Sequence, residues 1–258
     1  MSRYIKSELY RLLRVKGTYL FVLISSLLLI SSSVLLASIK LSDNKFPYAT
    51  TGFSISLIVT SFIMILFLCI MVSNIVFSNE YSNHTMKNSI SFGMTRSTLY
   101  FGKLIVQIIY ACIAFVLIIG IHVLSAYMLL ENSGLDSLYL LFKTCLICLP
   151  LFLFSLALTN CFAFAFEGTG ATIGSTIGVL FALPMVSNML GMKFEVFRNF
   201  SKILPYNMIN NLKLDVEKYT LTTIWGVDGY RNYWIVGLVE MVIFVVLGYV
   251  LFRKREIK

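Results

Sequence analysis

Residues 104–130 read LIVQIIYACIAFVLIIGIHVLSAYMLL, twenty-seven residues without an aspartate, glutamate, lysine or arginine. A helix needs about 20 mostly apolar residues to cross the hydrocarbon core, and in lipid only a helix or a closed barrel satisfies its own backbone groups. This stretch meets that requirement with residues to spare. Five other runs also do so, at 18–39, 53–77, 138–166, 171–190 and 234–252. Of the 258 residues 58% are hydrophobic and 13% charged, and mean hydropathy is +0.86, well above an ordinary soluble domain. The expectation is an all-α membrane protein with six transmembrane helices. The fourth run is long enough to tilt or bend, with Pro150 as the natural place for a kink. The first exceeds the apolar core of a signal peptide and no A-x-A site follows it, so it reads as retained.

The net charge of +9 is unevenly distributed. Residues 1–17 carry Arg3, Lys6, Arg11, Arg14 and Lys16; residues 78–103 carry Lys87, Arg96 and Lys103; the tail carries Arg253, Lys254, Arg255 and Lys258. The short loops opposite hold only Lys40 and Lys45. Cytoplasmic flanks are the ones rich in Lys and Arg, so both termini are expected in the cytoplasm of a cell membrane. The basic balance then reflects topology and anionic lipid, not nucleic acid. All five cysteines (Cys69, Cys112, Cys145, Cys148, Cys161) fall within the apolar runs, where the Cys145/Cys148 C-x-x-C reads as packing, not as a redox or metal motif. There is no H-E-x-x-H, G-x-S-x-G or G-x-x-x-x-G-K-[ST], and the two histidines, His84 and His122, lie in unrelated segments. The chain is not expected to be an enzyme or to bind a cofactor. If nucleotide powers it, another chain holds the ATP and magnesium.

Residues 78–103, SNEYSNHTMKNSISFGMTRSTLYFGK, interrupt the apolar pattern. Gly93 is a helix stop and Thr95 an N-cap, which divides the segment into a short helix, a turn and the start of the third span. Met86 and Ile90 share one face of that helix. Helix–helix links usually take 2–8 residues, and this one takes 26. A helix so short is marginal in water and needs headgroups or a protein groove to hold it. A plain connection whose cations enforce topology accounts for the same residues.

Elsewhere, Ile5, Leu9 and Leu12 share a face while Arg3, Lys6 and Arg14 stay available to headgroups, so 1–17 reads as an amphipathic interfacial helix. Gly170, Gly174 and Gly178 repeat at every fourth position, which lets another helix approach closely, from this chain or from a second chain. Lys143 and Glu240 lie within two turns of their span ends, with snorkelling, mutual pairing and a substrate or proton role all open. His122 reads as a hydrogen-bonded packing residue, and Glu167 as a cap for span five or a contact to a partner chain. In 191–233, Val196, Phe197, Phe200, Ile203 and Leu204 suggest an amphipathic helix in the outer interface, anchored by Trp225, Tyr230, Tyr233 and Trp234.

The order Glu80, Thr85-Met86-Lys87-Asn88, Ser91, Gly93, Arg96, Tyr100 and Lys103, the N-terminal MSRYIKSELYRLLRVKGTYL, the six spans and ILPY at 203–206 together resemble the membrane subunits of type-two ATP-binding-cassette exporters, over essentially the whole chain. The resemblance implies an elbow helix over 1–17 and a cytoplasmic coupling helix between spans two and three. In it Glu80, Thr85, Met86, Lys87, Asn88, Gly93 and Arg96 would engage a separate ATPase subunit. It also implies a homodimer or heterodimer through spans one and five, using Gly170, Gly174 and Gly178. A translocation path would run along spans two and five, past Phe62, Phe67, Met71, Asn74, Phe181, Met185 and Asn188. Met and Phe repack around varied shapes and suit a hydrophobic or amphipathic substrate. Among such permeases the short chain is similar to lantibiotic and bacitracin immunity permeases, which implies export of an antimicrobial peptide or drug by a bacterium. The rival reading is a stand-alone channel or ion-coupled transporter using Lys143, Glu240 and His122.

Overall fold

The computed structural model describes residues 1–43, 45–83, 90–91, 93–166, 168–215, 220–226 and 229–255, the side chains of 79–83 and 215 excepted. Helix α1 (Ser2–Leu12) turns into α2 (Lys16–Ser42), the corner held by Thr18 Oγ1 donating to Leu12 O at 2.8 Å. Helices α3 (Thr51–Thr60) and α4 (Met64–Asn83) follow, then α5 (Arg96–Leu129) and α6 (Asp136–Ala165). Helix α7 (Thr169–Ile177) runs through a π-helical turn, Gly178–Ala182, into α8 (Leu183–Gly191). After short helices α9 (Glu195–Ser201) and α10 (Pro205–Asn210), strands β1 (Lys213–Asp215) and β2 (Thr220–Thr222) pair antiparallel, with Leu214 opposite Leu221. Helix α11 (Tyr230–Lys254) closes the bundle.

Among the described residues five helices are long and apolar enough to cross a membrane, and the bent pair α3–α4 makes a sixth. This is the expected helical membrane architecture with two corrections. The second span is not one helix: α3 and α4 meet at 68°. Thr60 Oγ1 donates to the carbonyls of Ser56 and Leu57, both at 3.0 Å. Beyond it the amides of Met64, Ile65 and Leu66 bond only three residues back, to Ser61, Phe62 and Ile63. Hydroxyls that compete for backbone carbonyls bend helices, and the tightened turn completes the break. Hydropathy is blind to this because the run stays apolar throughout. The stretch 191–233 is likewise not one amphipathic helix but α9, α10 and the hairpin, tied down by Tyr233 Oη on Met208 O at 2.5 Å and Tyr230 Oη on Leu221 O at 2.6 Å.

The hub is α6, whose most apolar window is 67% buried against 11% for α2, so α2 is a peripheral helix. Helix α6 stays continuous across Pro150 and packs most extensively on α11. Gly237 makes that contact close. A Cβ there would lie 2.9 Å from the carbonyl carbon and the Cβ of Pro150. In lipid, association rests on such packing, not on apolar burial. Gly237→Val is therefore expected to cost about 1–3 kcal/mol through overpacking, lowering the thermal midpoint of the detergent-solubilised chain. Gly120→Val, where an added Cβ meets nothing within 4 Å, leaves that midpoint unchanged.

Candidate functional site

The two arms of the 78–103 segment, α4 going in and α5 coming out, meet α1 at a buried ionic cluster. Glu8 lies on the inward face of α1, three residues after Ile5 and four before Leu12. Its Oε2 accepts from Lys103 Nζ of α5 at 2.7 Å, and from Arg11 Nη2 and Nε at 2.8 and 3.1 Å. Arg11 Nη2 also donates to Val76 O of α4 at 2.8 Å, and Lys103 Nζ, wholly buried, sits 5.5 Å over the Phe77 ring. Burial pushes the Glu8 carboxyl upward, but Lys103 and Arg11 outweigh it and hold it below the usual carboxylate value. Glu8 Oε2 thereby joins α1 to α5, and Arg11 carries the link on to α4. A carboxylate on the apolar face of an amphipathic helix demands a partner, and that signal was present in the sequence. A reading of the face through Ile5, Leu9 and Leu12 alone passes over it.

A second junction lies beside it. Arg96, the first residue of α5, donates through Nη1 to the carbonyls of Phe252, Arg253 and Arg255 at 2.9, 2.7 and 2.8 Å. The last carbonyls of a helix lack intrahelical donors and carry partial negative charge, so a guanidinium suits the end of α11. Arg255 in turn donates to Phe164 O and Phe166 O, at 2.8 and 3.3 Å, at the end of α6. Beneath them Tyr100, Phe164 and Phe252 cluster into one aromatic group, with Phe164 and Phe252 centroids 4.5 Å apart. Thr95 caps α5 as expected, accepting from Thr98 N at 3.3 Å, and Gly93 has φ +86°, the left-handed stop anticipated for it.

The other expected site residues are distributed unevenly. Glu80 lies in the α4 backbone, while Thr85, Met86, Lys87 and Asn88 fall outside the described residues, as do His84 and Glu167. Added Cβ atoms at Gly170, Gly174 and Gly178 would meet nothing within 4 Å, so this stripe faces no other described helix of the chain. Lys143 and Glu240 are not brought together: Lys143 Nζ sits 5.0 Å over the Tyr230 ring, and Glu240 Oε2 is buried without a hydrogen-bond partner among the described residues. His122 is 3.2 Å from Ser54 Oγ and 3.3 Å from Leu29 O, bridging α2, α3 and α5 as a packing residue. Along the expected path, Phe67 and Phe181 stack at 4.5 Å, and Met71 and Met185 are exposed. Phe62 is instead buried against Phe115, and Asn188 exchanges hydrogen bonds with Asn207 at 2.8 and 3.0 Å. Asn74 borders a void of about 10 Å³ with Ser73, Thr159 and Thr176. The five cysteines are free thiols.

Removing one partner of a buried pair strands the other charge, at a cost of about 3–5 kcal/mol, whereas replacing both by apolar groups is often neutral. Lys103→Ala is accordingly expected to lower the yield of monodisperse chain sharply, and Glu8→Leu/Lys103→Met to restore it. A carboxylate held low in the folded state stabilises above its unfolded value, about 4.3 for glutamate, and loses that contribution as pH falls towards the folded value. The deficit of Glu8→Gln, read by thermal unfolding in detergent, is therefore largest near neutrality and shrinks below about pH 4.

The family described as ABC-2 family transporter protein matches residues 4–184, from α1 into α8 and over more than two thirds of the chain. No curated protein matches the chain. With its membrane-spanning helices and a match of that extent, the chain belongs to the ABC-2 family of transporter proteins, as a membrane permease.

Proposed function

We infer that this permease is one subunit of an ATP-driven exporter, moved by separate ABC ATPase subunits that bind the ATP and magnesium. Family membership implies that pairing. The observation that carries the reading is the anchoring of the 78–103 segment. It leaves α4 and returns through α5, and both arms are fastened beside it, through Arg11 to Val76 O, Lys103 to Glu8, and Arg96 to the end of α11. A push on the segment reaches α1, α4, α5 and α11 together, and α6 through Arg255. An ordinary loop would absorb it. In this reading Glu80, Thr85, Met86, Lys87, Asn88 and Gly93 form the ATPase contact on the cytoplasmic side, with both termini. Arg96 passes the movement on to α11.

The open stripe at Gly170, Gly174 and Gly178 meets a second permease subunit, identical or related. The exposed Met71 and Met185, with the Phe67–Phe181 stack, offer a hydrophobic or amphipathic substrate an adaptable surface. An antimicrobial peptide or drug expelled across a bacterial plasma membrane fits that surface. His122 and Lys143 are already engaged, by Ser54 and Leu29 and by Tyr230, which leaves ion-coupled transport through them and Glu240 without support.

Tagged chain solubilised from its native membranes in mild detergent is expected to bring an ABC ATPase with it. Glu80→Arg loses the ATPase, and Arg96→Glu keeps it but transports less per ATP hydrolysed. A folded, monodisperse chain that brings no ATPase in several mild detergents would overturn the powered reading. Single cysteines at Ser175 or Ile177 in a background free of other cysteines are expected to crosslink two permeases in the membrane. A monomer band throughout would reject that interface.

A further inference from the structure

At the end of the bundle away from 78–103, a cavity of about 430 Å³ opens between α11, α6, the π-helical turn and the α9–α10 cap. Its walls are apolar, with Leu180 from the turn, Phe200 and Leu204 from the cap, and Ile235 and Ile243 from α11. One polar group belongs to it, Glu240, whose Oε2 is shielded from solvent and lacks a hydrogen-bond partner among the described residues. Sites for small molecules have this make-up: about 300–1,000 Å³, mostly apolar, with few polar groups. The turn Gly178–Ala182 that forms one wall is π-helical, a distortion that recurs at functional sites.

Three cations of the surrounding elements are engaged elsewhere. Lys143 of α6 lies over Tyr230, Arg198 of α9 pairs with Glu195 at 2.7 Å, and Lys202 Nζ is 3.4 Å from Asn199 Oδ1. An ionised carboxylate without a partner in apolar surroundings is costly, and an ionisable group within a membrane span calls for one. No described residue supplies it here. A ligand that brings a positive group on an apolar body satisfies both the carboxylate and the walls, whereas a neutral apolar molecule satisfies only the walls and an anionic one is repelled.

We propose that this cavity is a binding site for cationic amphiphiles, with Glu240 pairing with their ammonium or guanidinium group. The proposal rests on the reading of the chain as a permease for amphipathic compounds and narrows that class to cationic ones. Because Ile235 and Ile243 are about half exposed on the outer surface of α11, such a ligand reaches the cavity sideways from the membrane.

The test uses membranes containing the full chain, without ATP, and a photoreactive dodecylammonium probe bearing a diazirine, with labelled peptides mapped by mass spectrometry. In the wild type, label is expected on α11 and the π-helical turn. Dodecylammonium displaces it at concentrations about tenfold lower than dodecanol does, as a charge-assisted pair requires. Glu240→Gln, of nearly the same volume, abolishes that preference relative to the wild type in the same membranes, so that partitioning cancels. Ile243→Trp fills the cavity and lowers labelling overall. A monodisperse Glu240→Gln chain that keeps the wild-type preference, or label spread evenly over all lipid-facing helices, overturns the proposal. No ATPase takes part, so failure of the powered reading leaves the result unchanged, and loss of this site leaves ATPase co-purification unchanged.

Discussion

Carbonyl oxygens at the ends of apolar helices have no intrahelical donors, and near lipid little else can serve them. In this chain arginine side chains supply the missing donors. Arg96 serves the end of α11 and Arg255 the end of α6. Each arginine belongs to a different element from the carbonyls it serves, so satisfying a helix end also fastens two helices together. The ion pair of Glu8 and Lys103 completes the set by binding α1 to the same end. A rigid face results where the polar segment 78–103 emerges, and the power-stroke reading depends on that rigidity.

The spans were legible in the sequence because a long apolar run has one stable solution in lipid, and residues 104–130 fall almost wholly within α5. Its start was legible only through Thr95, the expected N-cap, and not through hydropathy. The helix begins at Arg96, where hydropathy has already fallen, because Ser97, Tyr100 and Lys103 find partners among neighbouring helices: Ser97 Oγ is 2.7 Å from Tyr249 Oη, and Tyr100 joins the aromatic group. Partners of this kind are tertiary facts that a window over one segment does not contain. The 68° break in the second span left only Thr60 and Ser61 as a trace, too common a pair to read as a bend.

The site shows the same division. Gly93 and Thr95 did what their chemistry dictates locally. The glycines that set the contact of α6 and α11 are Gly237 and Gly248, eleven residues apart and inconspicuous, while the regular stripe at 170, 174 and 178 touches no described helix of the chain. Spacing shows that a helix can be approached, not which helix comes. Lys143 and Glu240 have opposite charges at comparable depth, yet the Tyr230 ring lies closer to hand for the lysine. Depth and sign alone do not make a pair.

The break between α3 and α4 divides one membrane crossing between two neighbourhoods. Helix α3 is tied at its start to the α5–α6 loop, through Thr51 N to Glu131 O at 2.9 Å and Gly52 N to Ser133 Oγ at 2.6 Å. Helix α4 belongs to the arginine-stapled end through Val76. An unbroken rod would have to carry any tilt of one end through to the other. Two rods meeting at a three-residue joint can change their mutual angle there instead, so that one half of the crossing swings while the other keeps its seat.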